Sequence, residues 1–364
     1  MATIAPHTEL PIITKPVIIE GYSQPGASVN TATTGTNAVS KIVLSGAEGV
    51  VGSGSGIDGL KISGGGTTIK GLVINGFKQG QNDEGGMAIF LLNVAGNTSN
   101  TIAANFIGTD AAGTTAVANQ GSGVVTAFNS TNNTIGGTTP ADRNLISGNF
   151  FSGVSLGSNN NRVQNSLIGT DKSGTNDLGN GSNGVGVSSS DNTLSANTIA
   201  FNEGDGIRVF SSLTLSTGNT GNLLFGNSIF SNGSTSPTKL GIDLGFDGVT
   251  PNDLGDGDTG PNTLQNFPVL TSAKTSKKGT TITGKLNSAP NKSFIVQFFS
   301  NASGNEGQKS TGQTGVSTDS NGDVSFTFRA ALKVREGKIT ATATDTASKN
   351  TSEFSAAKKV LRRR

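Results

Sequence analysis

The chain has 364 residues, of which 53 are glycine and none is cysteine or tryptophan. Only 14% of the residues are charged and the formal net charge is +2, so this composition, with its regular scatter of aliphatic side chains, excludes a disordered chain. The lack of cysteine excludes thiol catalysis, disulfides and cysteine-based metal centres. An ordered, glycine-rich, all-β protein is expected.

The opening segment, MATIAPHTELPIITKPVII, has no basic region followed by an apolar run, so we do not expect it to be a secretory signal. No apolar run reaches the roughly 18 residues that a membrane-spanning helix needs. Membrane insertion is therefore not expected.

Repeated short elements fill residues 1–249. The segment NTIAANFIGTD at 100–110 returns as NRVQNSLIGTD at 161–171, and a glycine-led strand pattern starts at Gly123, Gly153, Gly184 and Gly206. Each element alternates polar or small residues with apolar ones, as in a short strand with one buried face. A repeat of about 22 residues, enlarged to about 30 by loops, predicts one coil of a right-handed parallel β-helix.

Asparagine recurs at the predicted corners between strands, as at Asn165, Asn197 and Asn227. Asparagine tolerates the left-handed backbone that such corners need. On successive coils, these side chains can also bond one another in a ladder. We predict this structural role for them, with sugar binding as the alternative.

The segment FNEGDGIRVF contains the candidate catalytic residues Glu203, Asp205 and Arg208. A calcium-dependent polysaccharide lyase needs acidic metal ligands and a basic proton acceptor, which these three side chains supply. Residues 205 and 208 would lie on opposite faces of one strand, so Asp205 is expected at the corner before the strand. The structural alternative is a corner carboxylate beside a solvated arginine.

An Asp- and Gly-rich segment, residues 250–267, is predicted to join two domains. It does not fit an EF-hand, because a loop starting at Asp256 has Gly260 at position five and Phe267 at position twelve. Calcium nevertheless favours six to eight oxygen ligands on a flexible loop. The candidate calcium ligands are Asp253, Asp256, Asp258, Asn262, Asp243 and Asp247. The alternatives are an acidic linker without a cation and an interface in which the aspartates form salt bridges with the basic domain that follows.

Residues 268–364 carry longer alternating segments, including TTITGKL, SFIVQFFS, VSFTFRAAL and GKITATATD. Five or more such strands in about 95 residues predict an immunoglobulin-like β-sandwich. A β-helix ends in an open sheet edge, which this domain is expected to cover.

The motifs PVIIEGYSQPGAS, NxIGG…RNLISGN, IGTDxxGT and GIDLGFDGVTPNDLGDGDTGPNTLQNFPVL follow one another along the chain. In this order they resemble a family of bacterial right-handed parallel β-helix repeat proteins. The resemblance covers nearly the whole chain and implies an extracellular or cell-surface protein whose signal peptide is not part of this sequence.

The expected function is that of a structural or adhesive protein whose β-helix surface serves self-assembly or contact with an extracellular polysaccharide. A calcium-dependent lyase acting on uronic-acid polymers and a passive module of a larger surface protein are the alternatives. The single histidine, His7, has no partner nearby, and Tyr22 is the only tyrosine, so few side chains favour an enzyme.

Charge divides sharply between the two predicted domains. Residues 1–267 carry a net charge of −8, and residues 268–364 carry +10. We therefore expect head-to-tail association into homo-oligomers or filaments. Nucleic acid is not an expected partner, because the larger domain is acidic.

Overall fold

A computed structural model describes residues 1–49, 56–81, 84–211, 218–233, 238–331, 333–334 and 337–362. Over these residues the chain forms thirty β-strands and three short 3₁₀ helices, Gly21–Ser23, Pro140–Asp142 and Pro261–Leu264. No helix in this part of the chain has the length and apolar character to cross a membrane. The predicted all-β class is confirmed.

A parallel β-helix occupies the first two thirds of the chain, and each complete coil contributes one strand to each of three sheets. Sheet I contains β1 Ala2–Ile4, β3 Ile42–Ser45, β6 Leu72–Asn75, β9 Phe106–Ile107, β12 Leu145–Ile146, β15 Leu167–Ile168, β18 Thr198–Ala200 and β21 Ser228–Phe230. Sheet II contains β4 Leu60–Ile62, β7 Ile89–Leu91, β10 Val124–Thr126, β13 Val154–Leu156, β16 Val185–Val187, β19 Ile207–Val209 and β22 Ile242–Leu244. Sheet III contains β2 Ile18–Glu20, β5 Thr68–Lys70, β8 Thr101–Ala103, β11 Thr134–Gly136, β14 Arg162–Gln164, β17 Thr193–Ser195 and β20 Leu223–Phe225.

The interior of the β-helix is a continuous stack of aliphatic side chains. In β13, Val154 and Leu156 face inward and are fully buried, whereas Ser155 between them faces outward. Val154 pairs in register with Val124 of the coil before and Val185 of the coil after. Each such side chain contributes about 1.5–3 kcal/mol by leaving water, so the two-residue alternation of the sequence determines which face forms the core.

Buried asparagine ladders run along the corners, as predicted. Asn197 donates from both its backbone N–H (3.1 Å) and its side-chain Nδ2 (3.0 Å) to Oδ1 of Asn227 on the next coil. Asn165 does not belong to this ladder, so the ladder prediction is wrong for it, whereas the predicted left-handed backbone is present. Its neighbour Ser166 occupies the ladder position and donates its N–H to Asn197 Oδ1, while Asn165 takes the left-handed corner conformation at φ 50°.

The C-terminal part of the chain is a sandwich of two four-stranded sheets. One sheet has the order β27 Asp323–Ala330, β24 Gly279–Asn287, β23 Val269–Ser276 and β30 Leu361–Arg362. The other has the order β26 Lys309–Ser317, β25 Ser293–Asn301, β28 Lys338–Asp345 and β29 Lys358–Lys359. This division of consecutive strands between two sheets is that of an immunoglobulin-like sandwich. Its core lies between the sheets, around Val296, Phe298 and Ile339.

Candidate functional site

The last coil of the β-helix is closed by residues of the sandwich. Strands β20, β21 and β22 end their sheets, so their outward N–H groups need acceptors that no further coil supplies. Leu224 N–H donates to Thr351 Oγ1 (3.1 Å), and Leu244 N–H donates to Glu353 Oε1 (3.0 Å). Ile229 forms an antiparallel bridge with Gly307 through two hydrogen bonds of 2.9 Å. The sandwich therefore caps all three sheets at this end, sheet I through a backbone bridge and sheets II and III through side-chain acceptors.

Two of the asparagine ladders also end on residues beyond the β-helix. Asn222 N–H donates to Oδ1 of Asn262 (3.0 Å), which belongs to the segment between the two domains. Asn232 donates its N–H (3.4 Å) and its Nδ2 (3.2 Å) to the carboxylate of Glu306 in the sandwich. Since each ladder directs N–H groups towards the C-terminal end, an acceptor at that end is required.

Phe354 covers the open end of the apolar interior. It packs against the β-helix core and makes an edge-to-face contact with Phe299, with 5.4 Å between ring centroids. A side chain at Gly307 would meet the Phe354 ring at 2.5 Å, so this position requires glycine for the sandwich to approach so closely. The closure is therefore apolar at its centre and hydrogen-bonded at its rim.

Two carboxyl groups at this closure have raised pKa values. Glu353 is 2% exposed and accepts N–H bonds from Leu244 and Thr250, both at 3.0 Å. Burial raises the pKa of Glu353 to about 8, because the two hydrogen bonds only partly offset the loss of hydration. Burial likewise raises the pKa of Glu306 to about 7.

The candidate catalytic residues lie on sheet II beside this closure. Asp205 precedes β19 and forms a salt bridge with Arg208, whose guanidinium stacks on the Phe246 ring at 4.4 Å. Arg208 is 9% exposed, so the alternative of a solvated arginine is wrong. Glu203 is exposed on the preceding turn. The Arg208 guanidinium carries only N–H donors and is bound to Asp205, so it is not suited to accept a proton.

Asp243 lies beside Asp205 and Arg208 and not in the Asp-rich loop. It lies opposite Arg208 in the register of β19 and β22, and its Oδ2 is 4.0 Å from Arg208 Nε. Burial, followed by the charge of Asp205, raises the pKa of Asp243 to about 6. The charge of exposed Asp247 acts on Asp243 in the same direction.

Three of the six predicted calcium ligands, Asp253, Asp256 and Asp258, form an acidic loop. Each offers a carboxylate oxygen, and these oxygens lie within 4.8 Å of one another. The loop is attached to the sandwich just beyond the end of β24, where Ser288 Oγ donates to Asp256 Oδ2 (2.8 Å). Burial raises the pKa of Asp256 to about 6. Among the described residues, Asp253 Oδ1 and Asp258 Oδ1 are buried and have no hydrogen-bond partner, as expected of oxygens that can bind a cation.

The other predicted ligands lie elsewhere. Asn262 has its side chain in the ladder, where Nδ2 donates to Asn222 O and Thr351 O. Asp243 and Asp247 lie near Arg208 and Glu353. Sequence reasoning did not identify Glu306 and Glu353, because each is a single glutamate among small polar residues and its partners lie 74 and 109 positions away.

Comparison of the chain with protein-family models found no match, and neither did a search among curated proteins.

Proposed function

We propose that this chain is a surface-presenting structural module that contacts polysaccharide outside the cell. The observation that carries the proposal is the closure of all three sheets by Thr351, Gly307 and Glu353, which makes the β-helix an end-capped rod with outward sheet faces. The resemblance to bacterial surface β-helix proteins supports the extracellular location.

A groove on the outer face of sheet II supports contact with a sugar chain. It has a volume of about 450 Å³ and is lined by Phe90, Val125 and Phe151. Polar groups stand at its edge, where Lys61 pairs with Glu9 (2.8 Å) and Asp58 (3.5 Å). Aromatic rings beside charged and amide groups suit a pyranose ring, which has an apolar face and a hydroxylated rim.

We expect the purified chain to co-sediment with extracellular polysaccharides without shortening them. Phe151→Ala removes an aromatic wall of the groove and should reduce retention at least fivefold, whereas Phe128→Ala, an exposed phenylalanine outside the groove, should not. Equal retention of all three proteins would rule out the groove, and no retention would rule out polysaccharide contact. Unsaturated sugar products would favour the lyase alternative instead.

We further propose that the acidic loop binds calcium and thereby fixes the segment between the domains. The three carboxylates repel one another, and Asp253 and Asp258 raise the pKa of Asp256 in addition to its burial. A divalent cation removes this repulsion and supplies a partner for the two unbonded oxygens.

Calcium at a hundredfold excess over its Kd should stabilise the fold by about 2.7 kcal/mol, and calorimetry should show a higher unfolding temperature than with a chelator. The double variant Asp253→Asn/Asp258→Asn should lose this difference, since it neutralises the two carboxylates without altering the Asp256 anchors. Asp247→Asn is the matched control and should keep the response. A calcium shift that survives the double variant would place the ion elsewhere.

A further inference from the structure

A second and larger cleft lies between the β-helix and the sandwich, and we call it the junction cleft. Its volume is about 910 Å³, within the range of small-molecule binding sites. One wall is the outer face of sheet I with Thr198 and Ser228, and the facing wall is strand β26 with Lys309 and Thr311. The cleft thus belongs to neither domain alone.

The charged side chains among the described residues of the junction cleft all have the same sign. Among the described residues that line it, Arg143, Lys309 and Lys333 are basic and none is acidic. Within the same described set, these three side chains form no salt bridge. A cleft with only positive side chains concentrates anions, even though residues 1–267 are acidic overall.

Of the three basic side chains, Arg143 is the buried one, with 8% of its surface exposed. Its Nε donates to Asn165 O (3.2 Å), and its Nη1 and Nη2 donate to carbonyls of Ala32, Thr33 and Gly35 and to Asn165 Oδ1. All these acceptors are neutral, so the guanidinium charge is not compensated, and a buried cation without a counter-charge is unfavourable. Arg143 therefore holds the wall in place and supplies positive potential, while the exposed lysines remain able to contact a ligand.

The rest of the lining favours a polyhydroxylated ligand. Thr198, Ser228 and Thr311 line the cleft, and Phe230 adds an apolar surface. Ser228 Oγ donates to Gln308 O and Thr311 Oγ1 donates to Phe298 O, so both hydroxyl groups are held in place by the sandwich. A hydroxyl that has donated its proton can still accept a hydrogen bond, so the oxygens of Ser228 and Thr311 can accept from sugar hydroxyls, and Thr198 can donate or accept. We infer that the junction cleft binds acidic oligosaccharides, with sugar carboxylates on Lys309 and Lys333 and sugar hydroxyls on the threonine and serine side chains. This inference rests on the proposed contact with polysaccharide and assigns it a second site.

The test is calorimetric titration of the full chain with tetragalacturonate and, separately, with neutral maltotetraose. Lys309→Gln/Lys333→Gln should weaken binding of tetragalacturonate at least tenfold, since a hydrogen bond to a charged group contributes more than that factor. The control Lys277→Gln/Lys278→Gln removes the same charge from the exposed turn between β23 and β24 and should change affinity less than twofold.

Three outcomes would overturn the inference: equal losses in the two lysine variants, equal affinity for the neutral tetrasaccharide, or no binding of tetragalacturonate. Co-sedimentation with intact polysaccharide separates the two proposals. Phe151→Ala should reduce retention of neutral and acidic polymers alike, whereas the Lys309/Lys333 variant should reduce retention of acidic polymers only. If whole polymers are retained but the cleft variant behaves as the parent does, the surface function stands and the cleft assignment fails.

Discussion

Replacing Asn133 by alanine is expected to lower the free energy of unfolding by about 3 kcal/mol. Asn133 is fully buried, and its Oδ1 accepts from the N–H (3.0 Å) and the Nδ2 (2.9 Å) of Asn100. Its own Nδ2 donates to Ser130 O (2.7 Å) and to Asn161 Oδ1 (2.9 Å). Alanine leaves the buried Asn100 N–H without an acceptor and breaks the ladder between two coils. Urea unfolding followed by circular dichroism measures the loss.

Asn129→Ala is the matched control for this variant. Asn129 is exposed, and its side-chain amide donates to the exposed Asn93 side chain. A change within about 0.5 kcal/mol is expected there. If the two variants lose the same stability, the ladders do not hold the coils together and side-chain burial alone does.

Stability is expected to fall as the pH rises from about 5 to 8. The folded pKa values of Glu353 (about 8) and Glu306 (about 7) lie above the ordinary glutamate value of 4.5. The folded state therefore binds these protons more tightly than the unfolded state does. Their stabilising contribution is complete below pH 4.5 and is lost as the pH rises through the folded pKa values. For Glu353 the loss is on the order of a few kcal/mol.

The variant Glu353→Gln tests whether the Glu353 carboxyl group causes this loss of stability. Glutamine resembles the protonated glutamate, so the variant should show a much flatter stability profile between pH 5 and 8, measured with chelator present to remove any contribution from calcium. Glu203→Gln changes an exposed glutamate outside the closure and should keep the parent slope. An unchanged slope in Glu353→Gln would show that the carboxyl group titrates as it does in the unfolded chain.

The β-helix could be predicted from the sequence because its determinants are local. Val154 and Leu156 alternate with Ser155, and that alternation alone identifies the inward face. The ladder position of Asn165 was predicted wrongly because the asparagine comes one residue early in its coil. Asn161 aligns with Asn192, and five residues further on Ser166, not Asn165, aligns with Asn197. Strand β26, KSTGQTGVS, was not predicted, because it is an edge strand whose residues are mostly exposed and carry little apolar alternation.

The candidate sites could be predicted only in part, because their partners are distant in sequence. The acidic loop comes together from three aspartates within six residues, which the sequence shows directly. The closure depends on the hydrogen bond between Glu353 and β22, and the junction cleft depends on Arg143 and Lys309 lining the same cavity. Neither pairing follows from composition or spacing, because the way in which the sandwich meets the β-helix determines both.

The asparagine ladders keep a constant step although the coils differ in length. Asn180 bonds to Asn202 across 22 residues, while Asn202 bonds to Asn232 across 30. Loop length therefore varies without changing the rise of about 4.8 Å per coil. The sandwich closes the three sheets at the strands of the last coil, so this closure does not depend on how many coils precede it. The number of coils therefore determines the length of the β-helix, and this length can change by gene duplication while the closure of the sheets stays the same.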